Sequence, residues 1–130
     1  MIVVDASVVV NALIDDGPDG DRARARLRGE RLAAPHLMDL EVISAWRRLV
    51  AGGTAEVGRV DLAMADLADL RVDRMPHRPL LRRCWELRTN LTVYDAAYVA
   101  LAEVLGVAVL TADTRLARAS GPRCSFEVLA

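Results

Sequence analysis

The sequence predicts an α/β protein in which helices cover both faces of a central parallel sheet. Short apolar segments alternate with longer segments of helical character along the 130 residues, and this alternation is typical of parallel α/β folds. The apolar segments carry no polar alternation, as expected of strands that are buried on both faces. A chain of this length, with a hydrophobic fraction of 53%, can bury one sizeable core. We therefore expect an α/β/α sandwich that forms one domain over residues 1–130.

In the first half of the chain, each predicted element follows from a local signal. IVVD is a short β-branched strand, and ASVVVNALI continues as a helix. DDGPDG predicts a loop, DRARARLRGE an exposed polar helix, and RLAAP a strand that Pro35 closes. DLEVISAWRRLVAGG predicts a helix ended by two glycines, with one apolar stripe made of Val42, Ile43, Trp46, Leu49 and Val50. Thr54 is expected to N-cap the next helix, which runs to about Leu70.

The second half continues the alternation. LRVDRM predicts a strand, and the prolines of MPHRP separate it from a helix at about 79–90. YDAAYVALAEVLG is apolar almost all round, which predicts a buried helix ending at Gly106. VAVLT predicts a buried strand, DTRLARA a short helix and CSFEVL the last strand.

Charge composition excludes some classes of function. All 17 basic residues are arginine, so enzymes that need a catalytic lysine are excluded. The net charge of −1 provides no global basic field for nucleic acid, and such a partner would need a local patch. Arginine suits phosphate through bidentate contacts, although an arginine-rich helix is also an ordinary solvated surface. The candidate phosphate contacts form two groups, Arg22, Arg24, Arg26, Arg28 and Arg31, and Arg82, Arg83 and Arg88.

Other features are informative mainly by what they lack. No run of about 18 uncharged apolar residues is present, and no basic segment precedes the first apolar stretch. We therefore expect a cytoplasmic protein without a membrane partner. Cys84, Cys124, His36 and His77 each lack the spacing of a metal or redox motif.

Four acidic residues are the main functional clue. Asp5 ends the first strand and Asp113 ends VAVLTAD, while Asp95 begins the buried helix. Glu41 is expected in the first turn of the helix that follows the second strand. Because ligands gather beyond the carboxyl ends of parallel strands, all four can point into one cleft. Ser7 and Asn11 are four residues apart on one face of the first helix, and Thr111 precedes Asp113 by two residues. Their expected role is to support the site or to position water, and the alternative is ordinary capping and local backbone bonding.

Each acid also has an ordinary structural explanation. Asp5 and Asp113 suit helix N-caps, Thr92 and Asp95 match a capping box, and Glu41 in a first turn is favoured by the helix dipole. Clustered carboxylates repel one another, however, unless a cation lies among them. Oxygen ligands without histidine or cysteine suit Mg²⁺ or Mn²⁺, and such a site fits phosphodiester hydrolysis.

Three ordered segments resemble a known family. VVDASVVVNAL, APHLMDLEVISAW and LTVYDAAYVALAEVLGVAVLTADTRLA are together similar to PIN-domain proteins, specifically the VapC-type toxin ribonucleases. The resemblance implies five parallel strands in the order 3-2-1-4-5 and Mg²⁺-dependent endonucleolytic RNA cleavage, with Mn²⁺ as a possible substitute. It also implies a cognate antitoxin and a homodimer. It gives metal-binding catalytic roles to Asp5, Glu41, Asp95 and Asp113, and it places Ser7, Asn11 and Thr111 at or beside the site.

Two other kinds of function can be distinguished from that of a ribonuclease. Receiver-type phosphoacceptor proteins and aspartate-nucleophile phosphatases share the layout but normally use a lysine, and this chain has none. A non-catalytic module that binds metal or a partner through the same acids is the second alternative, and it predicts that neutralising Asp95 leaves any cellular effect intact. The apolar faces of the helices at 38–51 and 54–70 are either a groove for a partner helix or ordinary core.

Overall fold

The computed structural model describes residues 1–129 and contains one sheet of five parallel strands in the order β3-β2-β1-β4-β5. This order confirms the predicted sheet. The strands are β1 Ile2–Val4, β2 Leu32–Pro35, β3 Val72–Met75, β4 Val109–Thr111 and β5 Phe126–Val128.

Seven helices lie between the strands over residues 1–129. They are α1 Ala6–Ile14, α2 Pro18–Leu27, α3 Leu37–Ala51, α4 Val57–Asp69, α5 Leu81–Glu86, α6 Val93–Leu105 and α7 Thr114–Arg118. A short 3₁₀ turn, Arg78–Leu80, leads into α5. None of these helices is both long and apolar enough to cross a membrane.

The core is centred on β1 and α6. Every residue of β1 is buried, and because successive strand residues point to opposite faces, both faces of the sheet are covered there. Seven consecutive residues of α6, 96–102, are also buried, which confirms the predicted buried helix. Thr92 N-caps α6 by accepting a hydrogen bond from the Asp95 backbone amide at 3.1 Å. Gly106 ends the helix in the left-handed conformation with φ of 68°, as glycine commonly does.

Four local predictions were wrong in detail. The DDGPDG segment is only partly loop, because Pro18 begins α2 with its fixed φ. Thr54 does not cap α4. Its backbone amide donates to Leu49 at the end of α3 instead, and Glu56 occupies the N-cap position. The predicted helix at about 79–90 ends at Glu86.

The fourth correction concerns α3. Because α3 begins at Leu37, Glu41 is its fifth residue and lies in the second turn, where the helix dipole does not account for it. The predicted apolar stripe on this helix is buried at Val42 and Trp46, whereas Ile43 is exposed.

Candidate active site

Asp5 and Asp113 lie at the carboxyl ends of adjacent strands. Asp5 follows β1 directly, and its backbone amide donates to Leu110 of β4 at 2.9 Å. Thr111 ends β4, and Asp113 comes two residues later. Since the chain winds from β1 outward in both directions, this edge is the point where the strand order reverses, which is where α/β folds place their ligands.

Two hydroxyl groups hold one oxygen of Asp5. Oδ2 of Asp5 accepts hydrogen bonds from Ser7 Oγ at 2.6 Å and from Thr111 Oγ1 at 2.8 Å. Ser7 Oγ in turn accepts from the Ala112 amide at 3.0 Å, and Thr111 Oγ1 accepts from the Asp113 amide at 3.0 Å. Because each hydroxyl already receives a backbone N–H, its own proton is directed to Asp5. The predicted supporting role of Ser7 and Thr111 thus has a specific geometry.

Burial makes the Asp5 carboxylate unusual. Only 7% of Asp5 is exposed, and this burial raises its pKa above the ordinary value. The hydrogen bonds from Ser7 and Thr111 lower that pKa, and the charge of Asp113 raises it again. A buried carboxylate with a raised pKa favours any arrangement that brings positive charge to it.

Glu41 and Asp95 respond to the same cluster of charges. Burial is the main cause that raises the pKa of Glu41, and the charges of Asp5 and Asp95 raise it further. Burial likewise raises the pKa of Asp95, with additional contributions from the charges of Asp5 and Asp113. The charge of Asp5 therefore acts on both Glu41 and Asp95, and the charge of Asp113 acts on Asp5 and Asp95.

One contact of this cluster could not be seen in the sequence pattern. The hydroxyl of Tyr98 donates a hydrogen bond to Oε1 of Glu41 at 2.6 Å. Tyr98 lies three residues after Asp95 on α6, and residues with this spacing share a helix face. The spacing from Asp95 indicated that Tyr98 lies on the same helix face. No local pattern indicated that Glu41, 57 residues away, would contact Tyr98.

The capping explanations hold for some of these acids and not for others. Asp113 does cap α7, since Oδ1 accepts from the Arg115 amide at 2.9 Å. Asp5 occupies the N-cap position of α1 but makes no side-chain capping bond there. Capping therefore does not explain why a carboxylate is buried at position 5.

The chain is similar in sequence to known proteins over nearly its whole length. The sequence profile of the PIN domain matches residues 2–122. The chain belongs to the PIN-domain family. It is 43% identical to Ribonuclease VapC9 of Mycobacterium tuberculosis over 129 residues, covering 99% of this chain and 98% of the relative. The predicted family is thereby confirmed.

Two solved structures share the fold of this chain. PAE2754 from Pyrobaculum aerophilum has a TM-score of 0.69 and 26% identity, with 98% of this chain and 83% of the other covered. A structure described as a toxin–antitoxin complex from Klebsiella pneumoniae has a TM-score of 0.60 and 16% identity, with 88% of each chain covered. The second likeness, at this identity, shows the fold alone.

The PIN-domain acids fit a hard divalent cation by donor type. Their side chains offer carboxylate oxygens, which Mg²⁺ and Mn²⁺ prefer, and the raised pKa values of three of them reflect burial together with negative charge that a cation would offset. Within residues 1–129, no three acidic, histidine or cysteine side chains are grouped closely enough to hold a metal ion as they stand.

Asn11 lies on α1, four residues after Ser7. Its side chain lines cavities toward the end of α1, and in the described part of the chain no hydrogen bond joins it to any of the four acids. One of these cavities is also lined by Ala112, which lies between Thr111 and Asp113. The supporting role of Asn11 stays a prediction.

Several predicted phosphate-binding arginines have structural partners. Arg24 donates to the carbonyl oxygens of Ala12 and Asp15, and Arg26 pairs with Glu127 of β5. Arg83 pairs with Glu103 at 2.7 Å. These three guanidinium groups are engaged in joining parts of the fold.

An arginine that sequence reasoning did not select lies beside the acids. Arg115 is 93% exposed, and its Nε is 3.6 Å from Asp113 Oδ1. Its charge also lowers the pKa of Asp95. Its position two residues after Asp113 was the only available signal.

Proposed function

We propose that this PIN domain is a Mg²⁺-dependent endoribonuclease in which Asp5, Glu41, Asp95 and Asp113 hold the metal. The observation that carries the proposal is the position of Asp5 and Asp113 beyond the carboxyl ends of adjacent strands at the switch point of the sheet, with Asp5 buried and held by Ser7 and Thr111. Near-full-length similarity to proteins named VapC ribonucleases supports RNA as the substrate. Mn²⁺ is expected to substitute for Mg²⁺, because both prefer oxygen ligands.

The roles of the protein groups follow from their contacts. When bound, the divalent cation supplies the Lewis acidity that phosphodiester hydrolysis requires. Ser7 and Thr111 fix Asp5 through Oδ2, and their hydrogen bonds oppose the effect of burial on its pKa. Arg115 is exposed beside the acids, where its guanidinium group is available to an RNA phosphate.

The alternative of a non-catalytic module makes the opposite prediction for one substitution. Asp95→Asn removes one charge from the cluster while preserving side-chain size, and it should abolish RNA cleavage. Asp66→Asn is a matched control, because Asp66 is exposed on α4, away from the cluster.

The test maps new 5′ ends in total cellular RNA after brief induced expression of each protein. We expect discrete new ends with the wild-type protein and with Asp66→Asn, and none with folded Asp95→Asn. The same new ends with Asp95→Asn would contradict the catalytic assignment and favour a binding-only module.

A cognate antitoxin is the proposed protein partner. Helices α3 and α4 expose several large apolar side chains, Leu40, Ile43, Val57, Leu62 and Met64. Leu40 and Leu62 are each more than 70% exposed, so they are not the ordinary core of residues 1–129. A Leu62→Glu variant should still cleave RNA but escape neutralisation when candidate antitoxins are co-expressed, and neutralisation equal to wild type would argue against this surface.

A homodimer is proposed on a second surface. Leu81 and Trp85 of α5 and Val93 of α6 are each more than half exposed and line one cavity. A contiguous exposed apolar patch is typical of an interaction site. Light scattering should give twice the chain mass for the wild-type protein and the chain mass for Trp85→Glu. Equal masses would refute this surface.

We also propose, as the sequence predicts, that residues 1–130 act as one domain in the cytoplasm, where an RNA substrate is available.

A further inference from the structure

Tyr98 is a polar residue inside an apolar stretch. The buried run 96–102 of α6 otherwise consists of alanine, valine and leucine. Tyr98 has 0% exposure, and a buried hydroxyl group is unfavourable unless it has a hydrogen-bond partner. Phenylalanine would fill the same volume without this requirement. The partner of the hydroxyl therefore indicates what the tyrosine does.

That partner is Glu41, at an O–O distance of 2.6 Å. The bond joins α6 to α3, and the two residues are 57 positions apart in the chain. Asp95 lies one turn earlier on α6 and its charge acts on Glu41. The hydroxyl thus fixes Glu41 relative to a second acid that is carried by its own helix.

The hydroxyl is the donor in this bond, and the carboxylate oxygen Oε1 of Glu41 is the acceptor. Because a hydrogen bond to a charged acceptor is stronger than one between neutral groups, this bond restrains Glu41.

We propose that Tyr98 is a positioning residue of the site, whose hydroxyl holds Oε1 of Glu41 and leaves Oε2 as the oxygen offered to a divalent cation. This inference rests on the proposed function. Asp5 is likewise restrained through one oxygen, because Ser7 and Thr111 both donate to Oδ2 and neither donates to Oδ1. One restrained oxygen on each acid favours one-oxygen ligation, which suits Mg²⁺ because it binds through few carboxylates and keeps several waters.

The first test measures Mn²⁺ affinity by calorimetry for the wild type, Tyr98→Phe and Tyr94→Phe. Tyr94 is a matched control, because it is on the same helix and is 64% exposed. Loss of a group that orients a metal ligand typically weakens binding about 10–100-fold, and we expect this loss for Tyr98→Phe alone. Cleavage by Tyr98→Phe should recover at high Mn²⁺ concentration, which a general packing defect would not permit.

Adding Glu41→Gln makes the test specific for the pair. If Tyr98 acts through Glu41, Tyr98→Phe should change Mn²⁺ affinity less than about twofold in the Glu41→Gln background, because residues that act as one unit are not additive. Equal losses in both backgrounds would overturn the inference. If the wild-type protein binds Mn²⁺ and cleaves RNA but Tyr98→Phe has the same Mn²⁺ affinity, the inference is overturned and the proposed function is not. A wild-type protein that does not bind Mn²⁺ would overturn the proposed function as well.

A second measurement needs no substitution at Tyr98. A fully buried hydroxyl in a short hydrogen bond exchanges slowly and should give its own proton resonance in NMR spectra. We expect this resonance to shift during a Mg²⁺ titration and to be lost in Glu41→Ala. A resonance that stays unchanged while Mg²⁺ binds would overturn the inference, even if Tyr98→Phe does not fold.

Discussion

Replacing Thr111 with valine removes one buried hydroxyl group and leaves a side chain of nearly the same shape. Thr111 has 0% exposure. Its Oγ1 donates to Asp5 at 2.8 Å and accepts from the Asp113 amide at 3.0 Å. The substitution therefore removes these two hydrogen bonds, one of them to a buried carboxylate, together with a longer one to Ser7 Oγ at 3.4 Å, without opening a cavity.

The magnitude follows from these two bonds. A hydrogen bond to a charged group contributes about 1.5–3 kcal/mol, and an amide left without its acceptor adds about 1 kcal/mol. The added methyl group of valine returns up to about 0.8 kcal/mol. We expect Thr111→Val to lower the free energy of unfolding by about 2–3 kcal/mol.

Urea denaturation measures this loss. With a slope of about 1–3 kcal/mol per molar urea for a small protein, the midpoint should fall by about 1–2 M. Thr111→Ser is the control, because it keeps the hydroxyl and removes a methyl group worth about 1 kcal/mol. A valine variant as stable as the wild type, or more stable than the serine variant, would refute the reasoning.

Three further predictions concern charge, metal and backbone. Asp5→Asn should stabilise the metal-free protein because the raised pKa makes the ionised form unfavourable. This gain should be absent below the ordinary value of 3.8, grow as pH rises from 3.8 to the folded pKa, and stay constant above the folded pKa. A gain that does not change with pH in denaturation between about pH 3 and 8 would contradict it. Mn²⁺ should raise the melting temperature of the wild type but not of Asp5→Asn, and equal shifts would place the metal elsewhere. Gly106→Ala should cost about 1 kcal/mol in unfolding free energy, because φ is +68° while a Cβ there meets no atom within 4 Å; an unchanged melting temperature would show that the backbone relaxes.

The sequence by itself determined the strand–helix alternation and, through the family resemblance, the sheet order. The ends of α6 were also predictable, because Thr92 and Gly106 act on backbone groups a few residues away. The four acids could be selected from their positions after strands and at helix starts. Such signals are local, so they persist whatever the rest of the chain does.

Only the tertiary structure decided which side chains meet. The Tyr98–Glu41 bond spans 57 residues, and the Arg26–Glu127 pair spans 101. The latter pair engages an arginine that the sequence suggested for RNA. Thr54 failed as a cap because its amide completes the turn that ends α3. Backbone preference acts over one helical turn, whereas contacts between elements depend on how their buried faces pack, and that packing fixed the arrangement of the site.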